Sequence, residues 1–189
     1  HIGYCTPGPL EHDFNEMRIP LYPLSRLARI DPLLFVRILQ LVRRLHPNVV
    51  HTHLFKSDIH GRLAARLGGA ARIISTLHSN DPWASHFPLG HIYGLTAHFA
   101  DDLIAVSDEV RQYHIAMTGV SPKKIRTIPN GIDMRKFAAR LEAGSRFRVQ
   151  FNIPKDARLL GTVGRLVPDK GHHDFIDAAA LIAKTHPKA

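Results

Sequence analysis

Short apolar runs alternate with amphipathic segments along almost the whole chain of 189 residues. Each run has the length of a buried strand, and each amphipathic segment carries the end signals of a helix. This alternation is typical of a parallel sheet with helices on both faces, because parallel neighbours need a long crossover connection. The sequence therefore predicts an α/β fold. The strands expected in its sheet are His1–Thr6, Ile19–Leu24, Asn48–Leu54, Ala71–Leu77, Asp102–Val106 and Lys124–Ile128.

One helix is marked with particular clarity. Asp31 followed by Pro32 is a strong helix start, since the carboxylate caps free N–H groups and proline suits the first turn. Apolar residues at helical spacing then predict its buried face, namely Leu34, Ile38, Leu41 and Leu45. We expect Arg37, Arg43 and Arg44 to be solvated beside that face.

The pattern changes after residue 137. Residues 138–150 are polar and charged, as in a linker or a surface helix. A single further unit follows, with a strand expected at Leu159–Val163 and a helix from about His172 to Lys184. One strand and one helix cannot bury a core alone. We therefore predict one domain over residues 1–137 and the incomplete start of a second over 138–189.

The net charge of +9 and an isoelectric point near 10.1 favour contact with polyanions. The charges are scattered, and no signature of nucleic-acid recognition accompanies them, so nucleic acid is not an expected partner. An anionic membrane surface is a candidate contact. No run of about 18 apolar residues suggests a spanning helix. Cys5 is the single cysteine, so an internal disulfide is excluded, and we expect a cytoplasmic protein, peripheral at most to the inner membrane face.

Several polar residues follow directly on predicted strands. In open parallel sheets the functional crevice lies beyond the carboxyl ends of the strands. His53, His78, Ser107 and the turn at Asn130 are placed there by the predicted order. We therefore expect them to border one cleft.

The segment Gly164–Gly171, GRLVPDKG, lies between the predicted strand and helix of the second unit. Glycines allow a tight turn, and a helix start offers free N–H groups and the positive end of the dipole. Arg165 and Lys170 add two cations. The segment is either a diphosphate site or an ordinary turn with solvated charges.

Five motifs in order resemble glycosyltransferase family 4. They are VVHTH (49–53), ISTLH (74–78), DDLIAVSDEV (101–110), IRTIPNGID (125–133) followed by Phe137, and VGRLVPDKG (163–171). The resemblance covers essentially the whole chain. It implies a two-domain GT-B enzyme with Rossmann-like domains, which transfers a sugar from a nucleotide-sugar to an acceptor with retention at the anomeric carbon.

The resemblance also implies roles for individual residues. Arg165 and Lys170, with Gly164, would hold the donor's diphosphate, and His78 would lie over the reacting sugar. His53, Lys56 and Ser107 are candidates for the acceptor cleft. The donor is expected to be uridine- or guanosine-linked, and the acceptor a glycan or lipid-linked saccharide of the cell envelope. No metal or other cofactor is expected, because the two cations offset the charge on the departing diphosphate.

The chain also departs from the family pattern. The family's first strand and glycine-rich loop have no counterpart before His1–Thr6, and its pair of glutamates late in the donor domain has none before Ala189. We therefore predict that this chain alone has no transferase activity, and that exposed apolar surface of the unfinished domain can pair with a second copy. A sugar-nucleotide epimerase of the same architecture and a non-catalytic glycan- or anion-binding remnant stay open as alternatives.

Two other kinds of site are weaker interpretations. Fourteen histidines invite a metal site, and His51 and His53 share one face of a strand. However, no zinc-protease helix and no cysteine pair accompany them. Ser107 lacks the elbow motif of a serine hydrolase and suits a helix cap.

Overall fold

A computed structural model describes residues 1–25, 31–137 and 141–186. The chain divides into two compact units, His1–Gly131 and Ile132–Ala189. The boundary predicted from the sequence, after residue 137, lies slightly downstream of this division and stays a prediction.

The first unit confirms the α/β class. Its strands are β1 Ile2–Tyr4, β2 Leu21–Pro23, β3 Val49–His53, β4 Arg72–Leu77, β5 Asp102–Ala105 and β6 Ile125–Thr127. Its helices are α1 Glu11–Glu16, α2 Leu34–Leu45, α3 Phe55–Gly68, α4 Leu89–Thr96 and α5 Asp108–Thr118. Each strand lies inside or one residue from the run that the sequence predicted.

The strands form two parallel sheets rather than one. β1 pairs with β2, while the larger sheet has the order β3-β4-β5-β6. A continuous sheet needs hydrogen-bonded neighbours less than 5 Å apart. No strand among the described residues bridges the edges of β1 and β3, so the two ladders remain separate.

The core lies on one face of the larger sheet. Its connections all run in the same direction, and right-handed crossovers therefore place α3, α4 and α5 on the same side. Ile73, Leu103 and Ile125 are almost fully buried there. On the opposite face Val49 remains 51% exposed, and Ile74 and Ile104 are only partly buried.

α2 packs against α3 through a stripe that the periodicity predicted in part. Leu34 and Ile38 are buried as expected, Val42 is buried in addition, and Leu41 and Leu45 are only partly buried. The expectation that Arg37 is solvated was wrong. Its guanidinium donates to the Asp31 carboxylate over 2.6 Å and to the Leu24 carbonyl over 2.9 Å, because the buried Asp31 needs a counter-charge.

The second unit contains α6 Leu141–Gln150 and α7 His172–Thr185. The helix predicted from His172 is confirmed. The strand predicted at Leu159–Val163 does not form. A parallel strand is stable only beside a partner, and no other strand is described in this unit, so Leu159, Leu160 and Val163 stay exposed.

Within the described residues, no helix is both long enough and apolar enough to cross a lipid bilayer.

Candidate functional site

His53 and His78 meet at the carboxyl edge of the larger sheet. His53 is the last residue of β3, and His78 follows β4 directly. The parallel register pairs His53 with Thr76, so His78 lies two residues further on the same face. His53 Nδ1 lies 2.9 Å from His78 Nε2. The sequence expected these residues to be neighbours, and the structure joins them by a hydrogen bond.

His51 extends the pair into a row of imidazole rings. Its ring centroid is 4.3 Å from that of His53, and its Nε2 lies 2.8 Å from Thr76 Oγ1. The rings of His51, His53 and His78 are exposed on one side. Desolvation by the atoms packed around it lowers the pKa of His51. Desolvation, followed by the neighbouring His51 and His78, also lowers the pKa of His53. Both shifts favour the neutral form of the ring.

The turn after His53 has unusual backbone geometry. Leu54 has φ 70° and ψ 152°, a region that residues with a side chain rarely adopt. Such a conformation costs of order 1–3 kcal/mol and persists where the surrounding fold imposes it. The side chain of Leu54 is 62% exposed, so burial does not explain the residue. The strain lies at the end of β3, next to the histidine pair.

The loop after His78 is anchored by α5. The Nε2 atom of the fully buried His114 lies 3.1 Å from the Ser79 carbonyl oxygen, so this nitrogen donates a hydrogen bond. Asn80 donates to Glu109 over 3.0 Å, and the Tyr113 hydroxyl donates to the Asp81 carbonyl over 2.9 Å. Three side chains of one helix thus fix the segment that carries His78.

A buried polar network on the α3 side of the larger sheet contacts β3 and β4. Arg62 and Asp58, both on α3, form an ion pair of 3.4 Å that is almost inaccessible to solvent. Asp58 accepts from the Thr52 hydroxyl over 2.6 Å and from the Tyr93 hydroxyl over 2.8 Å. Arg62 also donates to Ser75 over 2.8 Å. Because Thr52 lies on β3, which ends at His53, and Ser75 lies on β4, which His78 follows, the network holds both strands in position.

The remaining acceptor-cleft candidates have local partners. Lys56 donates from Nζ to Ser25 Oγ over 3.2 Å. Ser107 accepts from the Val110 N–H over 3.2 Å and so caps α5, as the competing interpretation stated. Their role in an acceptor cleft stays a prediction.

In the second unit, Gly164–Gly171 forms a compact loop before α7. Gly171 has φ 62°, a left-handed conformation that favours glycine, and it is the N-cap residue of the helix. His172 Nε2 lies 2.8 Å from the Arg165 carbonyl oxygen and closes the loop. Arg165 is exposed, and Lys170 Nζ lies 3.5 Å from the exposed Asp169 carboxylate. The loop that precedes α7 thus carries two cations, and a helix start offers free N–H groups to an anion.

Among the described residues, the one group of three or more potential metal ligands is His12, Asp13 and Glu16. These residues are exposed on α1, outside the histidine row. A cleft of about 250 Å³ opens elsewhere, between β2 and α2, and none of the predicted site residues lines it. Its lining consists of Tyr22, Pro23, Leu24, Arg37, Gln40, Leu41 and Arg44.

Sequence reasoning missed the supporting residues. Asp58 and Arg62 stand four apart on α3, a spacing that is usual for a solvated surface pair. Only their burial identifies them as a core network. His114 had no signal of its own, because its contact with Ser79 joins segments 35 residues apart.

Comparisons with known proteins agree with this architecture. The chain is 29% identical over 189 residues to UDP-Gal:alpha-D-GlcNAc-diphosphoundecaprenol alpha-1,3-galactosyltransferase of Escherichia coli, a match covering 95% of this chain and 49% of that protein. It is 30% identical over 153 residues to D-inositol 3-phosphate glycosyltransferase of Kineococcus radiotolerans, covering 75% of this chain and 34% of that protein.

The fold is shared with the crystal structure of Anabaena HepE in complex with UDP-glucose. The TM-score is 0.79 at 21% identity, over 95% of this chain and 49% of that one. The chain thus spans about half the length, or less, of these proteins. The model of Glycosyltransferase Family 4 matches residues 2–136, which is well over half of the 189 residues, and the chain therefore belongs to this family.

Proposed function

We propose that the gene product carrying this chain is a retaining glycosyltransferase that moves a sugar from a nucleotide-sugar to a glycan or lipid-linked acceptor. The observation that carries the proposal is membership of Glycosyltransferase Family 4, together with the His53–His78 pair at the sheet edge. The donor proposed is uridine-linked. A relative is named for UDP-Gal, and a structure of the same fold holds UDP-glucose.

The roles proposed for the residues of the loop follow from their charge. Arg165 and Lys170 bind the donor's diphosphate beside the N-terminus of α7, with Gly164 leaving room for the backbone to approach. Negative charge builds on the diphosphate as the bond to the sugar breaks. Cations that interact more strongly with that charge than with the ground state accelerate the step. For this reason we propose that no metal ion is needed.

His78 is proposed to lie at the reacting sugar. An imidazole ring has two nitrogens through which it can form a hydrogen bond with a sugar hydroxyl. His53, Lys56 and Ser107 are proposed on the acceptor side. We do not expect this chain alone to catalyse sugar transfer.

The test is release of nucleotide from a panel of nucleotide-sugars by the gene product. We expect release from one donor, reduced roughly a hundredfold in an Arg165→Ala/Lys170→Ala double variant, because two charge-assisted contacts are lost. Lys155→Ala/Arg158→Ala is the matched control, since it removes two exposed cations of the same unit outside the loop. If both double variants lose nucleotide release equally, the loss reflects the total positive charge of the unit and not a specific site in the loop. A product that is an epimer of the donor sugar, without transfer, would favour the epimerase alternative.

We also propose that the enzyme works at an anionic membrane surface, where a lipid-linked acceptor resides. The net charge of +9 supports this, as does the outer face of α4, where Leu89, Ile92 and Leu95 are 38%, 39% and 67% exposed. We expect the protein to sediment with phosphatidylglycerol vesicles more than with phosphatidylcholine vesicles. Leu95→Glu should weaken this binding. Unchanged sedimentation of this variant would contradict the proposal that α4 contacts the membrane.

A further inference from the structure

The hydrogen bond between His53 and His78 has a chemical consequence for His78. A contact between two ring nitrogens 2.9 Å apart holds one proton, so one ring donates and the other accepts. Nε2 of His78 is occupied by this bond. Nδ1 is therefore the ring nitrogen left for a ligand, and its donor or acceptor role is the opposite of that of Nε2.

The backbone on both sides of the pair is fixed. β3 ends at His53 in the strained turn of Leu54. The segment after His78 is held by His114, whose Nε2 lies 3.1 Å from the Ser79 carbonyl oxygen. Since both backbones are constrained, the orientation of the two rings depends mainly on the contact between them.

We propose that His53 is a positioning residue for His78: its Nδ1 holds His78 Nε2, restricts His78 to one tautomer, and leaves Nδ1 directed to a sugar hydroxyl of the donor or acceptor. The sugar ligand rests on the proposed function, whereas the restriction of the tautomer does not.

The groups that face His53 favour its neutral form. They are His51 on the same strand, His78 after β4, and the buried Asp58 on α3. Desolvation and the two neighbouring imidazoles lower the pKa of His53, and Asp58 opposes them in part.

The first test uses the ¹⁵N-labelled chain at pH 7.5, with long-range ¹H–¹⁵N correlation spectra that distinguish histidine tautomers. We expect one tautomer of His78 in the native chain and a mixture in His53→Ala. His53→Asn should restore the single form, because its amide group lies where Nδ1 does. His51→Asn is the matched control: it removes the contact with Thr76 on the same face and should leave His78 unchanged.

A mixture of His78 tautomers in the native chain would overturn the proposal. The same holds if His53→Ala leaves the His78 signals unaltered. Dispersed backbone amide spectra of each variant verify that it is folded, and the direction of donation between the rings is read from the same data.

The second test measures donor cleavage by the gene product. We expect His53→Ala to lower kcat about tenfold with little change in KM, the usual size of one lost hydrogen bond to a positioned group, and His53→Asn to recover most of it. If the tautomer depends on His53 but His78→Ala cleaves donor normally, the proposed function of His78 fails and the positioning stands. If His78→Ala is inactive but His53 variants keep full kcat and one tautomer, the positioning fails and the function stands.

Discussion

At the residue scale, the most informative side chain is Arg62. Its side chain has no exposed surface, and its guanidinium carbon lies 4.1 Å from the centre of the Tyr93 ring. A charge in the core is tolerated only when it is paired and fully hydrogen-bonded. Asp58 provides the opposite charge, and Ser75 and Tyr93 accept from the guanidinium.

Removing one partner leaves the other charge buried and unpaired. We expect Arg62→Met to lower the free energy of unfolding by about 3–5 kcal/mol. The measurement is urea denaturation followed by circular dichroism. Arg66→Met on the same helix is the control, because its pair with Asp101 is 39% exposed on the arginine side and should cost at most about 1 kcal/mol. Similar losses in the two variants would show that the buried network carries no special stability.

At the element scale, the close approach of α4 and α5 is set by glycine. A Cβ at Gly94 would lie 2.0 Å from the Thr118 carbonyl oxygen, which is backbone and cannot rotate away. This contact of α4 with α5 places His114 beside Tyr93, with ring centroids 5.9 Å apart, and Tyr93 in turn donates to Asp58 on α3. The histidine site thus depends on a helix contact that admits no side chain.

Gly94→Ala is therefore expected to destabilise the chain by about 1–3 kcal/mol, since the two helices must move apart. Gly144→Ala in α6 is the matched comparison: nothing lies within 4 Å of a Cβ built there, and alanine should gain about 0.5–1 kcal/mol of helix propensity. Thermal unfolding of the two variants measures both effects. A neutral Gly94→Ala would mean that α4 and α5 are not packed as closely as described.

At the scale of the whole molecule, the buried histidine makes stability depend on pH. Burial lowers the pKa of His114 below its ordinary value of 6.5, partly opposed by its bond to the Ser79 carbonyl. Its Nδ1 is buried without a hydrogen-bond partner among the described residues. Below pH 6.5 the unfolded chain binds a proton there that the folded chain does not, so acid favours unfolding.

The contribution of His114 to the urea midpoint should be constant above about pH 7. It should fall as the pH drops from about 6.5 through the pKa that His114 has in the folded chain. His114→Phe should flatten this fall while lowering stability at pH 7.5, because the bond to Ser79 is lost. Exposed His12→Gln is the control and should keep the native profile. An unchanged acid slope in His114→Phe would assign the effect to other groups.

Much of the first unit was predictable from local pattern. The apolar runs placed all six strands, and Leu34 and Ile38 were correctly assigned to the buried stripe of α2, whereas Leu41 and Leu45 are only partly buried and Val42 was missed. Strand period, helix period and capping are properties of neighbouring residues, so a sequence records them directly. The rule that functional residues lie beyond the carboxyl ends of parallel strands also placed His53 and His78 together, since it needs only the order of the strands.

Other features were decided by tertiary structure alone. The run Leu159–Val163 has the composition of a strand but forms none, because a strand requires a partner ladder that its own residues do not provide. Asp58 and Arg62 have the spacing of a surface pair, yet both are buried and Tyr93 of α4 contacts them. The bond between His53 and His78 spans 25 residues. The sequence by itself determined which segments of the first unit form strands and helices. Burial, ion pairing and the orientation of the two rings depend on which distant elements meet, and only the folded chain establishes that.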